Sequence, residues 1–372
     1  MVKILEVKSS GDLKTFIDFP HELYKTDPNY VPALYMSEKN LLTKHPFHQH
    51  SEMTLFLAYK DQKVVGRIAA ILNNNYNTYH HENVGFFGFF DTVDDIKVAG
   101  ALLETVEKCL KTYRIKSLIG PVSPSTNEMC GYLVEGRNEP PAVMMAYNKL
   151  YYDNLFLKLG FKKNTDLLAY IIDLADFDDR SVKILGKLTE RLKSRYITIR
   201  KVNLKNFDKE IAQCMDVYNE AWSRNFGFVP MTDAEFAQMA KEAKMILDTD
   251  FCLVAEHNGK AVGFTLCIPD INQIQIKMKK GRLFPFGIFK LLFGRKKIKK
   301  LRVLALGVKE DYRKLGIEAV LYGIMLQNAV KKNIIEAEAS WILEDNEMMN
   351  RALENINAKV YKRYRIVEKH IE

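Results

Sequence analysis

VKEDYRKLGIEAVL (residues 308–321) decides how this chain is read. An apolar run, VLALG (residues 303–307), leads into it. Ile317, Val320, Leu321 and Ile324 then recur at helical spacing. A strand, a tight basic turn holding one glycine and a helix aim backbone N–H groups and the positive helix end at one spot, which suits an anion. Glu318 stands where a second small residue would let a phosphate come close. Near a helix start a carboxylate complements the positive end, so the expectation is an altered anion site rather than a destroyed one.

Working outward, the same grammar occurs twice. FLAYKDQKVVGRIAAIL (residues 56–72) and CLVAEHNGKAVGFTLCI (residues 252–268) each read as strand, short polar turn and strand, and Val65-Gly66 answers Val262-Gly263. Asn258-Gly259 favours a type I′ hairpin. Each hairpin is followed by another apolar strand, VGFFGFF (residues 84–90) or LRVLALGV (residues 301–308), and each of these feeds an amphipathic helix. In the first half that helix carries Val98, Leu102, Val106 and Cys109. A further strand follows in each half, IKSLIG (residues 115–120) and IIEAEASWIL (residues 334–343). Each half then closes with a helix end, a turn and a strand, around Gly160-Phe161 and Asn357-Ala358. The spacing predicts an α/β (α+β) protein made of two copies of one unit, residues 1–180 and 200–372, joined by a polar helical stretch near 176–199.

This order of elements resembles the GNAT superfamily of N-acetyltransferases. Tyr312-Arg313-Lys314-Leu315-Gly316-Ile317 looks like the family's acyl-CoA pyrophosphate turn, and LKLGF (residues 157–161) like its common turn after the last helix. The chain therefore reads as two tandem GNAT-like domains, each a mixed, mostly antiparallel sheet flanked by helices. FPHELYKTDPNYVPAL (residues 19–34), GFFGFFDTVDD (residues 85–95) and SWILEDNEMM (residues 340–349) also resemble a group of bacterial tandem GNAT-like proteins of unassigned substrate. The resemblance implies acetyl-CoA or another acyl-CoA as cofactor and an amine of a small molecule or peptide as acceptor. It assigns the cofactor to Leu306, Val308, Arg313, Lys314, Leu315, Gly316, Ile317, Glu318 and Ala319, with Asn346 before the last helix. In the first half the corresponding turn, DTVDDIKVAG (residues 91–100), carries Asp91, Asp94 and Asp95. Carboxylates there repel a pyrophosphate, so this half is expected to be a degenerate copy that does not hold CoA.

Acyl transfer to an amine needs a group to take its proton and another to protonate the leaving thiolate. Glu336 and Glu338 share one face of their strand by period-2 spacing. Glu338, nearer the middle, is taken as the base, against the alternative of a carboxylate at a solvated strand edge. The family's usual Tyr position falls on Leu353 in the second half and on Phe156 in the first, and neither donates a proton. Tyr361 and Tyr364 lie just beyond, in the last strand; Tyr361 is taken as the acid, provided that strand reaches the cleft. Two other readings stay open: a non-catalytic acyl-CoA or partner-binding protein, and a Fem-type aminoacyltransferase, which would need a broad basic surface.

The net charge of +9 has one source. Residues 271–302 hold eleven Lys or Arg and no acid; removing them from the 55 basic residues leaves 44 against 46 acidic ones. That excludes a basic face running over a domain, and with it a nucleic-acid partner. The segment mixes these charges with Phe284, Phe286, Phe289 and Phe293, and FGIFKLLFG (residues 286–294) suggests a short helix. The preferred reading packs the aromatics between the domains. The alternatives are a cap on the acceptor site and peripheral contact with an anionic membrane surface through 277–302. HPFHQH (residues 45–50) reads as a polar surface loop, with no metal site expected. GPVSPSTNEMCG (residues 120–131) reads as a wall of the substrate cleft. No secretory leader and no bilayer-spanning run are read, and five unpaired-looking cysteines point to a cytoplasmic protein. The oligomeric state is not read from the sequence.

Overall fold

The computed structural model describes residues 1–177, 179–223, 225–244 and 246–371. Its strands are Val2–Glu6 (β1), Glu52–Lys60 (β2), Lys63–Leu72 (β3), Val84–Thr92 (β4), Ser117–Gly120 (β5), Val122–Ser123 (β6), Met129–Cys130 (β7), Tyr132–Glu135 (β8), Lys162–Asp173 (β9), Ile197–Lys201 (β10), Cys252–His257 (β11), Lys260–Pro269 (β12), Lys300–Val308 (β13), Glu336–Leu343 (β14) and Lys359–His370 (β15). Apart from the small β6–β7 pair they form one sheet, in the order β1-β2-β3-β4-β5-β15-β9-β14-β13-β12-β11-β10, with β8 beside β15.

The repeat foreseen in the sequence is present. The β2–β3 hairpin answers β11–β12, and at the second turn Asn258 and Gly259 both take positive φ, 52° and 75°, as a type I′ turn requires. β4 pairs in parallel with β5, and β13 with β14; a crossover helix joins each pair, Ile96–Leu110 and Ile317–Lys331. These helices bury Val98, Leu102 and Val106 in one half and Ile317, Val320 and Leu321 in the other.

The ends of the two halves depart from a simple tandem. β9, the last strand of the first half, pairs with β14 of the second; β15, the last strand of the chain, pairs with β5 of the first. β9 and β15 pair with each other between them. The halves have exchanged closing strands, so backbone hydrogen bonds run unbroken across the seam and neither half exposes an edge there. Period-2 patterning does not encode which neighbour a strand chooses. The joining stretch contains the helix Asp179–Lys193, packed so closely on the second crossover helix that a Cβ at Gly323 would meet Leu185 at 2.8 Å. It then runs into β10, a strand the sequence reading did not foresee.

Two further expectations need correction. Phe284, Phe286, Phe289 and Phe293 do not pack between the domains: all four are exposed, at 74%, 73%, 54% and 77%. Their helix, Gly287–Gly294, covers the body with Gly287, Leu291 and Gly294 instead, because close approach there excludes larger side chains. The histidine stretch is not wholly a surface loop either. His45 is buried, and the imidazole of His50 lies 3.1 Å from Glu235. Among the described residues no group of three or more His, Cys, Asp or Glu could hold a metal ion.

Candidate active site at the seam

Residues of β13 and β14 alternate between two environments. Leu301 and Ala337 point into the core under the second crossover helix, while Arg302 and Glu338, opposite each other in the ladder, point to the other face. That face is covered by the first half's loop, through Val143 and Met145, and by the segment after β12. Glu338 is fully buried, not at a solvated edge.

Its carboxylate is densely partnered. Ser340 Oγ donates to Glu338 Oε1 at 2.6 Å, and the Tyr361 hydroxyl donates to Oε2. Arg302 lies 3.9 Å from Oε1; its Nε donates to Ser340 Oγ at 3.1 Å and its Nη1 to the Val143 carbonyl at 2.6 Å. Lys300 Nζ donates to the Tyr361 hydroxyl oxygen at 3.2 Å and lies 3.9 Å from Glu139, a first-half residue. The two residues assigned to proton transfer are therefore in direct contact, and the last strand does reach the site.

The backbone explains why. Val360 pairs with Tyr170 and Lys362 with Ala169, so Tyr361 is an extra residue in β15. A bulge of this kind re-aims its side chain. β14 shifts register in the same way between Ala339 and Ile342, across Ser340 and Trp341. Leu353, the family's usual Tyr position, is buried in the apolar core.

The electrostatics follow from burial. Burial, and then the Glu338 carboxylate, hold the Tyr361 phenol well above its usual range, so it keeps its proton. Asp270, which accepts from the Val143 amide at 2.9 Å, is pushed up to about 6 by burial and then by Glu338. Burial lowers Lys362 to about 8, although its ammonium donates to the Gly136 and Glu139 carbonyls. Tyr364 Oη and Trp341 Nε1, both buried, have no hydrogen-bond partner among the described residues. The Arg302 guanidinium lies 5.1 Å from the Trp341 ring centre. The sequence reading missed Lys300, Arg302, Ser340 and Asp270. Lys300 and Arg302 were hidden in the basic run; their alternation with Leu301 and Val303 was the available signal.

The assigned cofactor residues lie on the neighbouring elements. The β13–β14 ladder stops at Val303–Ala339. Beyond it β13 stays with β12 as far as Val308, while β14, paired with β9 from Glu336 onward, stays with β9 to Leu343. This opens a wedge beside Leu306, which is half-buried, and Val308, which is buried. The turn beyond has Lys314 and Gly316 at φ of 66° and 90°. The helix Ile317–Lys331 starts at Gly316 with no side-chain cap, leaving the first-turn amides around Glu318 and Ala319 to other acceptors. Arg313 donates from Nε to the Val308 carbonyl at 3.4 Å and from Nη2 to the Ala221 carbonyl, on the helix Phe207–Trp222, at 3.3 Å. Leu315 is half-buried and Ile317 packs in the core. Asn346 caps the helix Glu347–Glu354, its Oδ1 accepting from the Met349 amide at 3.2 Å.

The first half differs at each point. Its wedge is filled: the Phe89 amide donates to Ser123 Oγ at 2.8 Å, and a Cβ at Gly88 would meet the Val122 carbonyl at 2.0 Å. Asp95 caps the helix Ile96–Leu110, accepting from the Lys97 amide at 2.9 Å and pairing with Lys60 at 2.9 Å. The 120–131 loop packs on the second half, where Thr126 Oγ1 donates to the Gly227 carbonyl at 2.7 Å.

No protein-family model matches the chain. The tandem GNAT protein from the clavulanic acid biosynthesis pathway superposes with a TM-score of 0.61, covering 100% of this chain and 98% of that one at 10% identity. The chain thus has the tandem GNAT fold. Two whole-length relatives place it more closely. Protein YghO of Escherichia coli (strain K12) is 35% identical over 370 residues, 98% of this chain and 94% of that protein. The bacterial ceramide synthase of Caulobacter vibrioides is 32% identical over 377 residues, 99% and 97% of the two chains. The chain belongs to the family of these two proteins.

Proposed function

We propose that this protein is an acyl-CoA-dependent N-acyltransferase whose second half holds the acyl-CoA. The observation that carries the reading is the contact of the buried Glu338 with the half-buried Tyr361 beside the β13–β14 wedge. An amine attacking a thioester must lose a proton, and the leaving sulfur must gain one. Glu338 takes the proton from nitrogen, and Tyr361 gives its own to sulfur. The contact between the two then returns the proton from Glu338 to Tyr361, which restores the site. Arg302 and Lys300 offset the carboxylate's charge. Leu306 and Val308 flank the pantetheine arm, and the turn from Arg313 to Ala319 takes the pyrophosphate. The filled wedge and the Asp95 cap support a scaffold role for the first half. The domain division 1–180 and 200–372 is proposed in this functional sense, since the closing strands are shared.

The name of the Caulobacter relative bears on the acceptor. A ceramide is the amide of a fatty acid with a long-chain amino alcohol, so we assign this class of amine to the acceptor and acyl chains longer than acetyl to the donor. The Tyr364 hydroxyl and Trp341 N–H, without a hydrogen-bond partner among the described residues, support a polar, hydroxyl-bearing head group, since buried polar atoms ordinarily find partners.

Thermal unfolding with CoA, acetyl-CoA and octanoyl-CoA tests the reading. A ligand at about 100 times its Kd stabilises by ~2.7 kcal/mol, and octanoyl-CoA is expected to exceed acetyl-CoA at equal concentration. Absence of a shift with all three removes the cofactor assignment. Stabilisation without thiol release in the presence of long-chain amino alcohols makes the protein a binder rather than an enzyme. Glu318→Gly is expected to tighten CoA about 2–5-fold, the size of one charge near a helix end, as read by titration calorimetry.

A further inference from the structure

The basic aromatic segment is not absorbed by the site, and its structure is unusual for a surface. Phe286, Phe289, Leu292 and Phe293 lie on one side of the helix Gly287–Gly294, with Phe284 just before it, and all five are more than half exposed. A contiguous apolar face of this size on a soluble body marks a contact site. Around it Lys277, Lys279, Lys290, Lys296, Lys297 and Lys299 are exposed, with no acid between 271 and 302. The base of the segment is fixed. Arg282 pairs with Asp18 at 3.3 Å and Lys280 with Glu22 at 3.1 Å, while the backbone at Gly281 passes so near Ala33 that a Cβ would lie 1.7 Å from its carbonyl oxygen. The aromatic face is thus held outward on a fixed base.

We propose that this face docks the protein on the surface of an anionic lipid bilayer. Aromatic and aliphatic side chains entering the acyl boundary, ringed by lysines at the headgroup level, match an interfacial helix. The helix has eight residues, too few to span, so the contact is peripheral. A second copy of the chain is a poor occupant, because it would bring two rings of lysines together. Single-stranded nucleic acid would use the aromatics for stacking, but it gives Leu292 nothing to do and finds no basic track beyond the segment. The apolar cluster under the helix, through Ile274, Leu291 and Leu304, continues to Val143, whose carbonyl holds Arg302. Docking therefore turns the seam toward the bilayer, where amines and acyl chains with long apolar tails reside.

The test is co-sedimentation of the full-length protein with vesicles of phosphatidylcholine alone and of phosphatidylcholine with phosphatidylglycerol. The expected result is partitioning onto the anionic vesicles that weakens with added salt. The exposed triple variant F286S/F289S/F293S and the charge reversal K296E/K297E should each lower it about tenfold or more, while the CoA-induced thermal shift stays unchanged. That unchanged shift separates loss of docking from failure of the acyl-CoA reading. Wild-type protein left in the supernatant, variants that sediment as well as wild type, or binding of single-stranded RNA in preference to anionic vesicles would each overturn the proposal.

Discussion

Glu338→Gln should lower the rate of CoA release with an amine acceptor by about 10²–10⁴-fold, the contribution of a well-placed general base. Glutamine keeps the shape of the side chain and can still accept from Ser340, but it cannot take a proton. Tyr361→Phe should cost a similar factor by removing the hydroxyl that touches both Glu338 and Lys300. If the two act as one relay, the double variant loses little more than either single one, because groups working as a unit are not additive. The Gln variant also leaves Arg302 buried without its carboxylate, so its melting temperature should fall. The CoA-induced shift then shows that the protein measured is folded and loaded. Turnover retained in a variant with that shift intact would remove Glu338 from its role.

The parts of this arrangement that the sequence revealed are those set by local periodicity. Two hairpins, two crossover helices and the turn at Gly316 were readable because each is a short-range pattern of apolar spacing and turn residues. Glu338 was singled out as a candidate from period-2 spacing on one strand, together with the family resemblance. Which strand lies beside which was not readable, and the exchange of β9 and β15 rests on pairing between residues about as far apart as Ile171 and Lys359. Tyr361 was a candidate only on the condition that the last strand reached the cleft, and the bulge that aims it leaves no mark in composition. Lys300 and Arg302 were misplaced for another reason. In a run of eleven cations, only the alternation of Lys300 and Arg302 with Leu301 and Val303 separates the two that face the site from those that face water, and the surrounding charges masked it. The aromatics of the same run were assigned to a core because large apolar side chains usually find one, and here the helix turns its small residues inward instead.

The largest expected stability effect lies in the first half. Arg67 is buried between two carboxylates: its Nη1 donates to Glu38 at 2.6 Å and its Nε to Asp91 at 2.9 Å, with the Phe16 carbonyl at 3.0 Å from Nη1. Tyr24 donates to the other Asp91 oxygen at 2.9 Å. Arg67→Ala leaves two carboxylates in the interior with no cation, and breaking a buried pair in this way costs about 3–5 kcal/mol, read as a lower urea midpoint. Replacing all three charges together, as Glu38→Gln, Arg67→Met and Asp91→Asn, should restore most of the loss, since the cost lies in the unpaired charges rather than in a missing attraction. The pH dependence carries the sign. Burial raises both carboxylates even with Arg67 present, and Arg67 is the charge that pulls them down. A raised folded pKa means that the native state keeps a proton the unfolded chain has released, so stability falls as pH rises through that window. Without Arg67 the window extends upward. The deficit of Arg67→Ala should therefore be greatest at neutral pH and shrink as the medium is made acid. A deficit below about 1 kcal/mol at neutral pH, the scale of a solvated pair, would mean that water already reaches the two carboxylates and that Arg67 is not what holds the first half's core together.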